Sequence, residues 1–250
     1  MIKRAVLWMF LLIFTFSASE SSAECDLVTV HYHERVPYVR TIEDGVEGLT
    51  ATPVSIVFKK SGVPFKWEKT PSKRQLKMIE KNRGCDCAVG WFKNPTREKF
   101  GKYTRYIYQD KPAIALARAD NDKLQSGLRV DEILSNGGLT LGIKDGYSYG
   151  LFLDTNIARH KPVIDITTNE NINMLKKIHS GRGDYFFVAP EEAVGLIESS
   201  GFPRKDFKFI TFSDMPAGEK RYILCSKSVK DEFIERLDVA ITENVLKDKL

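Results

Sequence analysis

From residue 27 onward the chain alternates short β-branched runs with helix-length amphipathic segments, and that alternation constrains the fold more than any other feature. "LVTVHYH" (27–33) reads as a strand and "LTATPVSIVFKKSG" (49–62) as a helix closed by glycine. "PFKWEKT" reads as a short strand, and "PSKRQLKMIEKNRG" as a helix with proline in its first turn and glycine at its end. "CDCAVGWF" is the next strand. Strand, helix, strand, helix, strand is the grammar of a parallel sheet covered by helices, so the fold class is α/β.

The pattern then restarts. "PAIALARA" (112–119) and "LTLGIKDG" (139–146) read as strands, followed by "SYGLFLDTNIARH" as a helix with Ser148 as its N-cap. "VIDITT", "DYFFVAP" and "FKFITF" are strands, with the helices "NENINMLKKIHSG" and "EEAVGLIESSG" between them. "RYILCS" (221–226) and an amphipathic helix from 229 to about 246 are left over. Two tandem α/β units with a surplus strand and helix predict two lobes joined by more than one crossing, the last elements returning to the first lobe.

With 250 residues, 42% hydrophobic and 28% charged, the chain suffices for one large domain or two small ones. Lys3 and Arg4 precede an apolar run from Ala5 to Phe16, and small residues follow up to Ala23. This reads as a secretory signal over 1–23, too short to span a bilayer. The mature chain then begins at Glu24. Glu24 lies where a lipoprotein signal carries a small residue, which argues against acylation of Cys25. No later segment is long and apolar enough to insert into a membrane, so a soluble, exported protein is expected. The formal charge of +5 becomes about +4 without the signal, spread among acids, which points away from nucleic acid.

Four cysteines, Cys25, Cys85, Cys87 and Cys225, suit an oxidising compartment. The CxC pair is too tight to bridge internally, so its partners are Cys25 and Cys225. If strand order brings all four to one end of one sheet, either Cys25–Cys85 with Cys87–Cys225 or the crossed pairing is open, as are free buried thiols. The CxC lacks zinc-site spacing, and no metal or cofactor is expected.

"VTVHYHERVPYV", "DGVEGL", the run "FKWEKTPSKRQLKMIEKNRGCDCAVGWFKNPTREKF", "YTRYIY", "LGIKDGYSYG" and "GDYFFVAP" come in an order that resembles extracellular solute-binding protein family 3. These are the bilobed receptors of polar amino acid ABC transporters. The resemblance covers essentially the whole mature chain, and its strongest piece is a strand, a glycine and then Thr-Arg-Glu with a following Phe. It implies a periplasmic-binding-protein type II fold: lobe 1 from 24–107 plus 216–250, lobe 2 from 108–215, and hinge crossings near 106–109 and 212–216. It also implies a periplasmic, monomeric receptor serving an ABC permease, with the ligand between the lobes at the carboxyl ends of the strands.

Residue by residue, Arg97 matches the arginine that grips a ligand carboxylate, although a loop arginine beside Lys93 and Lys99 is the plainer reading of its position. Ser148 matches the Ser or Thr at a helix N-terminus that binds the same carboxylate. Tyr32 and Arg35 match the loop after the first strand. Trp91 and Phe92 stand where many relatives carry small residues, and strand alternation turns one of them into the core. Tyr147 or Tyr149 would help enclose the ligand. The departure is at Ala189, where amino acid binders carry the Asp that holds the ammonium; Glu191 and Glu192 nearby read as the acidic first turn of a helix. The expected ligand is therefore a small carboxylate-bearing solute, an amino acid or a relative of one.

Two other functions fit the same chain. A few relatives are periplasmic dehydratases, and Lys144, Asp145, His31 and His33 are titratable candidates, but GxSxG, HExxH and phosphate-loop motifs are absent from the sequence. His31 and His33 share a strand face, with one packed and one at the strand end as the plain explanation. A stand-alone receptor without a transporter has the same binding protein.

Overall fold

The computed structural model describes residues 25–168 and 170–247. The signal segment read over 1–23 lies outside the described residues.

The first sheet is built from β1 (Val28–Tyr32), β4 (Phe65–Lys69), β5 (Asp86–Phe92), β6 (Gly101–Gln109) and β12 (Lys220–Ser226), in the order β4-β1-β5-β12-β6. β1 runs parallel to β4 and β5, and β12 is antiparallel to β5 and β6. A hairpin, β2 (Arg40–Ile42) and β3 (Gly45–Glu47), leads into α1 (Ala51–Ser61), which Gly62 ends in the left-handed region. α1 and the last helix, α8 (Asp231–Asn244), cover one face: Val54, Val57 and Phe58 meet Phe233, Leu237 and Ile241 over Val28, Val30, Cys87 and Ile223. α2 (Ser72–Lys81) covers the other, with Ile79 against Ala88, Trp91 and Leu224.

The second sheet takes β7 (Ile114–Arg118), β8 (Thr140–Lys144), β9 (Val163–Thr167), β10 (Tyr185–Val188) and β11 (Phe207–Ile210) in the order β11-β7-β10-β8-β9. β8 is parallel to β9 and β10, while β7 is antiparallel to β10 and β11. Buried aromatic and aliphatic residues fill both faces, under α4 (Val130–Leu134) and α5 (Leu151–His160) on one side and α6 (Asn171–His179) and α7 (Pro190–Ser200) on the other. The two sheets with their helices form the two lobes.

Three expectations need correction. Residues 106–109 do not cross between lobes: they end β6, a nine-residue strand whose register places Gln109 opposite Lys220. The two crossings touch just beyond, where Asp110 N–H donates to Glu219 O at 2.9 Å. α2 stops at Asn82, which takes the left-handed turn at φ 52°, rather than at Gly84. The N-cap of α5 is Gly150, not Ser148.

The cysteines form Cys25–Cys85 and Cys87–Cys225. Register explains the choice. Cys87 lies directly opposite Cys225 on β12, and Val30 is its partner on β1, five residues past Cys25. Cys85 immediately precedes β5 on the side where Thr29 N–H donates to its carbonyl, within reach of Cys25. The CxC therefore ties the central strand to both neighbours, and each bridge contributes about 2–4 kcal/mol.

Candidate functional site

β5 delivers the first part of the site through an irregularity. Opposite it, Tyr222 pairs with Trp91 and Ile223 with Val89, so Gly90 is left over as a bulge at φ 79°. The extra residue breaks the alternation. Ala88 and Trp91, three apart, consequently pack in the same cluster with Ile79 and Leu224. Trp91 Nε1 donates to Gln75 Oε1 at 3.0 Å, which fixes the indole, while Phe92 turns toward the space between the lobes. Thus one of the aromatic pair packs into the core while also bounding the cleft.

Beyond β5 the sequence Asn94-Pro95 starts a single helical turn, α3 (Pro95–Glu98). Asn94 Oδ1 accepts from Arg97 N–H at 2.9 Å, and Pro95 occupies the first helical position. This folds Arg97 back, so it is only 6% exposed rather than a surface residue beside Lys93. Its guanidinium lies 4.7 Å from the Trp91 ring centre and donates to Phe92 O at 3.0 Å and to Gly146 O of the other lobe at 3.5 Å. Burial holds its pKa below the ordinary arginine value.

Arg35 and Arg221 line the same space and Lys144 contacts Tyr147 of its wall, and each of these three cations has an acid. Arg35 reaches across the lobes to Glu192, Nε to Oε1 at 2.9 Å and Nη2 to Oε2 at 2.8 Å. Glu192 is 1% exposed and also accepts from Asn171 Nδ2 at 2.6 Å. Burial pushes its carboxyl up, but the charge and hydrogen bonds of Arg35 outweigh this and hold it below the usual carboxylate value. Arg221, the second residue of β12, makes a bidentate pair with Asp110 at 2.6 and 2.7 Å. Lys144, at the end of β8, donates to Glu170 at 2.7 Å and to Tyr147 Oη at 3.1 Å. Among the described residues, Arg97 alone of these four has no carboxylate within ion-pair distance.

Ser148 precedes the N-cap of α5 by two residues, and its hydroxyl donates to Asp154. Asp154 also accepts from Tyr149 N–H at 2.8 Å, so an acid of the helix itself satisfies the turn that the sequence assigns to a ligand. Burial pushes the Asp154 carboxyl up, and likewise that of Glu219, where the like charge of Asp154 adds to the effect. Tyr32 is not brought to the site: it is in the core of the first lobe, edge-on to Trp67, with its hydroxyl 3.2 Å from Thr41 Oγ1. Glu191 and Glu192 do occupy the first turn of α7, with Ala189 as its N-cap. There Glu191 accepts from Tyr108 Oη and Lys111 N–H, both at 3.1 Å.

Two adjoining cavities of about 60 and 30 Å3 lie between the lobes, sharing Arg35, Phe92, Tyr147, Ser148 and Arg221 in their walls. Arg97, Trp91 and His33 bound the smaller, and Glu192, Tyr149 and Asn171 the larger. Such volumes hold a few water molecules, and side chains of the two lobes meet across them, Arg35 with Glu192 and His33 with Tyr147. Tyr38 Oη and Asn171 Oδ1 are buried there with no hydrogen-bond partner among the described residues. Sequence reasoning missed Asp110, Arg221, Gln75 and Asn171. Arg221 in "KRYILCS" and Asp110 ahead of "PAIALARA" carried a signal as charged residues beside apolar runs; Gln75 and Asn171, set among polar neighbours, carried none.

The architecture has known counterparts. An ancestral arginine-binding protein bound to arginine superposes with a TM-score of 0.70 at 15% identity, over 90% of this chain and 96% of that one. The fold is the type II periplasmic-binding-protein fold. ArtJ, an arginine-, lysine-, histidine-binding protein from Geobacillus stearothermophilus, superposes at 0.70 with 12% identity, over 89% of this chain and 90% of its own. A structure from work on glutathione import via GshT and the cystine ABC importer TcyBC of Streptococcus mutans reaches 0.72 at 13%, over 90% of each. The first two are described as binding proteins and the third comes from work on import. No protein-family model matches the sequence, and no curated protein does.

Proposed function

We propose that the protein is a periplasmic receptor that captures a small carboxylate-bearing solute, an amino acid or a close relative, between its lobes and presents it to an ABC-type permease. The observation that carries this is Arg97: a buried guanidinium on the cleft wall, stacked on Trp91, with no carboxylate of its own among the described residues. A buried planar fork of this kind gains most from an acid delivered by a ligand. The like-folded proteins described as binding arginine, lysine or histidine add support.

Glu192 takes the part that the sequence leaves vacant at Ala189. In the closed lobes Arg35 neutralises it; a ligand ammonium would take the place of that guanidinium. Tyr38 Oη and Asn171 Oδ1 offer one further donor and acceptor to the same solute. Trp91, Phe92, Tyr147 and Tyr149 would enclose its apolar part. The lobes would part about the adjacent crossings, just past Gln109 and just before Lys220, to admit it, and the receptor would act as a monomer.

Thermal unfolding of the chain from Glu24 against L-amino acids and small organic acids tests the reading. Saturation near 100 times Kd stabilises by about 2.7 kcal/mol. Arg97→Ala is expected to cost about 1.5–3 kcal/mol of affinity for whichever compound shifts the wild type most. An unchanged affinity would remove Arg97 from the site.

A further inference from the structure

Five side chains from both lobes form one hydrogen-bonded chain, Trp91, Gln75, His33, Tyr147 and Lys144, in which the direction of every bond can be assigned. The indole N–H of Trp91 can only donate, so the Gln75 atom 3.0 Å away is Oε1. On the other side of the amide, Nε2 donates to Thr70 O at 2.7 Å. Both neighbours demand the same amide orientation, and the second hydrogen of Nε2 therefore faces His33 Nδ1 at 3.3 Å. Nδ1 accepts. A neutral imidazole then carries its proton on Nε2, which donates to Tyr147 Oη at 2.9 Å.

His33 is neutral for a physical reason. Burial first, then Arg35 and Lys144, hold its pKa down to about 3, with Arg221 acting the same way and Glu192 opposing them. Lys144 Nζ, a donor only, reaches the same Tyr147 oxygen at 3.1 Å, and its charge lies over the Tyr147 ring. A phenol oxygen has two acceptor positions and one hydrogen. Two N–H donors fill the first, so the hydroxyl hydrogen must point elsewhere, and Tyr147 lines both cavities.

We propose that Tyr147 is a specificity-determining donor, its hydroxyl hydrogen held toward the cavity for a carboxylate or carbonyl oxygen of the bound solute. The setting is complete only when the lobes close, because His33 and Gln75 come from the first lobe and Tyr147 and Lys144 from the second. An ammonium has no place at this oxygen, where two donors already converge. The ligand half of the inference rests on the proposed solute-binding function; the proton assignment does not.

Nitrogen-15 spectra of the imidazoles in the chain from Glu24, with His33 assigned by His33→Gln, test the assignment without any ligand. The expected result is an Nε2-protonated tautomer that does not titrate between pH 5 and 8. An Nδ1-protonated ring, or titration near the ordinary histidine value, would overturn the proposal. Tyr147→Phe keeps the ring and removes the hydroxyl. It is expected to weaken binding of the best L-amino acid in the panel roughly 10- to 100-fold, the effect of a hydrogen bond to a charged group. It should weaken binding of the matching decarboxylated amine far less. Equal losses for both, or none for the amino acid, would overturn the donor role. Silence of the whole panel with wild type would remove the solute-binding reading, and the tautomer would still uphold or overturn the proton assignment.

Discussion

At the scale of single residues, the cleft is an exercise in charge compensation. Arg35 and Arg221 each bring a buried carboxylate partner into a space where an unpaired charge is costly, and the buried Lys144 pairs with the half-exposed Glu170. Arg97 relies instead on two carbonyls and an indole face. His33 follows the same logic by giving up its charge. Its folded pKa is depressed, so the unfolded chain takes up a proton near pH 6.5 while the folded one does so only near 3. Its stabilising contribution is present above 6.5 and is lost as pH falls below that, by up to about 1.4 kcal/mol per pH unit. Thermal unfolding from pH 7 to pH 5 should show a falling midpoint, and His33→Gln should flatten the fall. Parallel profiles for the two proteins would show that His33 already titrates normally. Glu192, with its depressed carboxyl, contributes in a separate window: its share is present above its ordinary value of 4.5 and disappears as pH drops further.

At the scale of elements, β5 owes its shape at the cleft end to one glycine. The bulge at Gly90 turns Trp91 onto the face it shares with Ala88, and its carbonyl accepts from Arg221 Nη1 at 3.1 Å. A side chain at φ 79° is strained, and a Cβ there would come within 3.4 Å of Thr50 Oγ1. Gly90→Ala is expected to destabilise the fold by about 1–2 kcal/mol, measured by denaturant unfolding, and to weaken solute binding by moving Trp91 and Arg221. Unchanged stability and affinity would mean that the bulge is incidental to the site. The neighbouring turn, α3, is equally local in origin: Asn94 and Pro95 dictate where Arg97 begins its reach.

At the scale of the whole molecule, the lobes are held together by side chains that a solute would rearrange. Arg35–Glu192 spans them, joined by His33–Tyr147, Lys73–Asp145 and the Arg97 contact to Gly146. Removing one partner of a buried pair leaves the other charge uncompensated, at a cost of about 3–5 kcal/mol to the closed arrangement. Arg35→Ala should therefore raise the radius of gyration in small-angle X-ray scattering. Arg35→Met combined with Glu192→Met should raise it less, because no lone charge remains. An unchanged radius for Arg35→Ala would mean that other contacts hold the lobes shut.

Much of this was legible in the sequence because it depends on neighbours along the chain. Strand and helix periodicity set out two α/β units, and a surplus strand and helix announced the return of β12 and α8 to the first lobe. Gly62 marked where α1 ends, whereas the single turn α3, set by Asn94 and Pro95, reads in the sequence as part of a loop. Arg97, Trp91 and Arg35 are singled out by the family resemblance, which sets Trp91 near the end of β5 and the two arginines in the segments after strand ends. Other features depended on register and on distances between remote segments. The cysteine pairing waited on Cys87 falling opposite Cys225; the acid at the cleft waited on a helical turn that carries Glu192, three residues past Ala189, to Arg35 157 positions away. Tyr32 went to the core and Ser148 to Asp154 for the same reason. Local pattern determines which elements form and which way each faces, whereas the partners of a buried polar group are chosen by the packing of the two lobes, which no single stretch of sequence encodes.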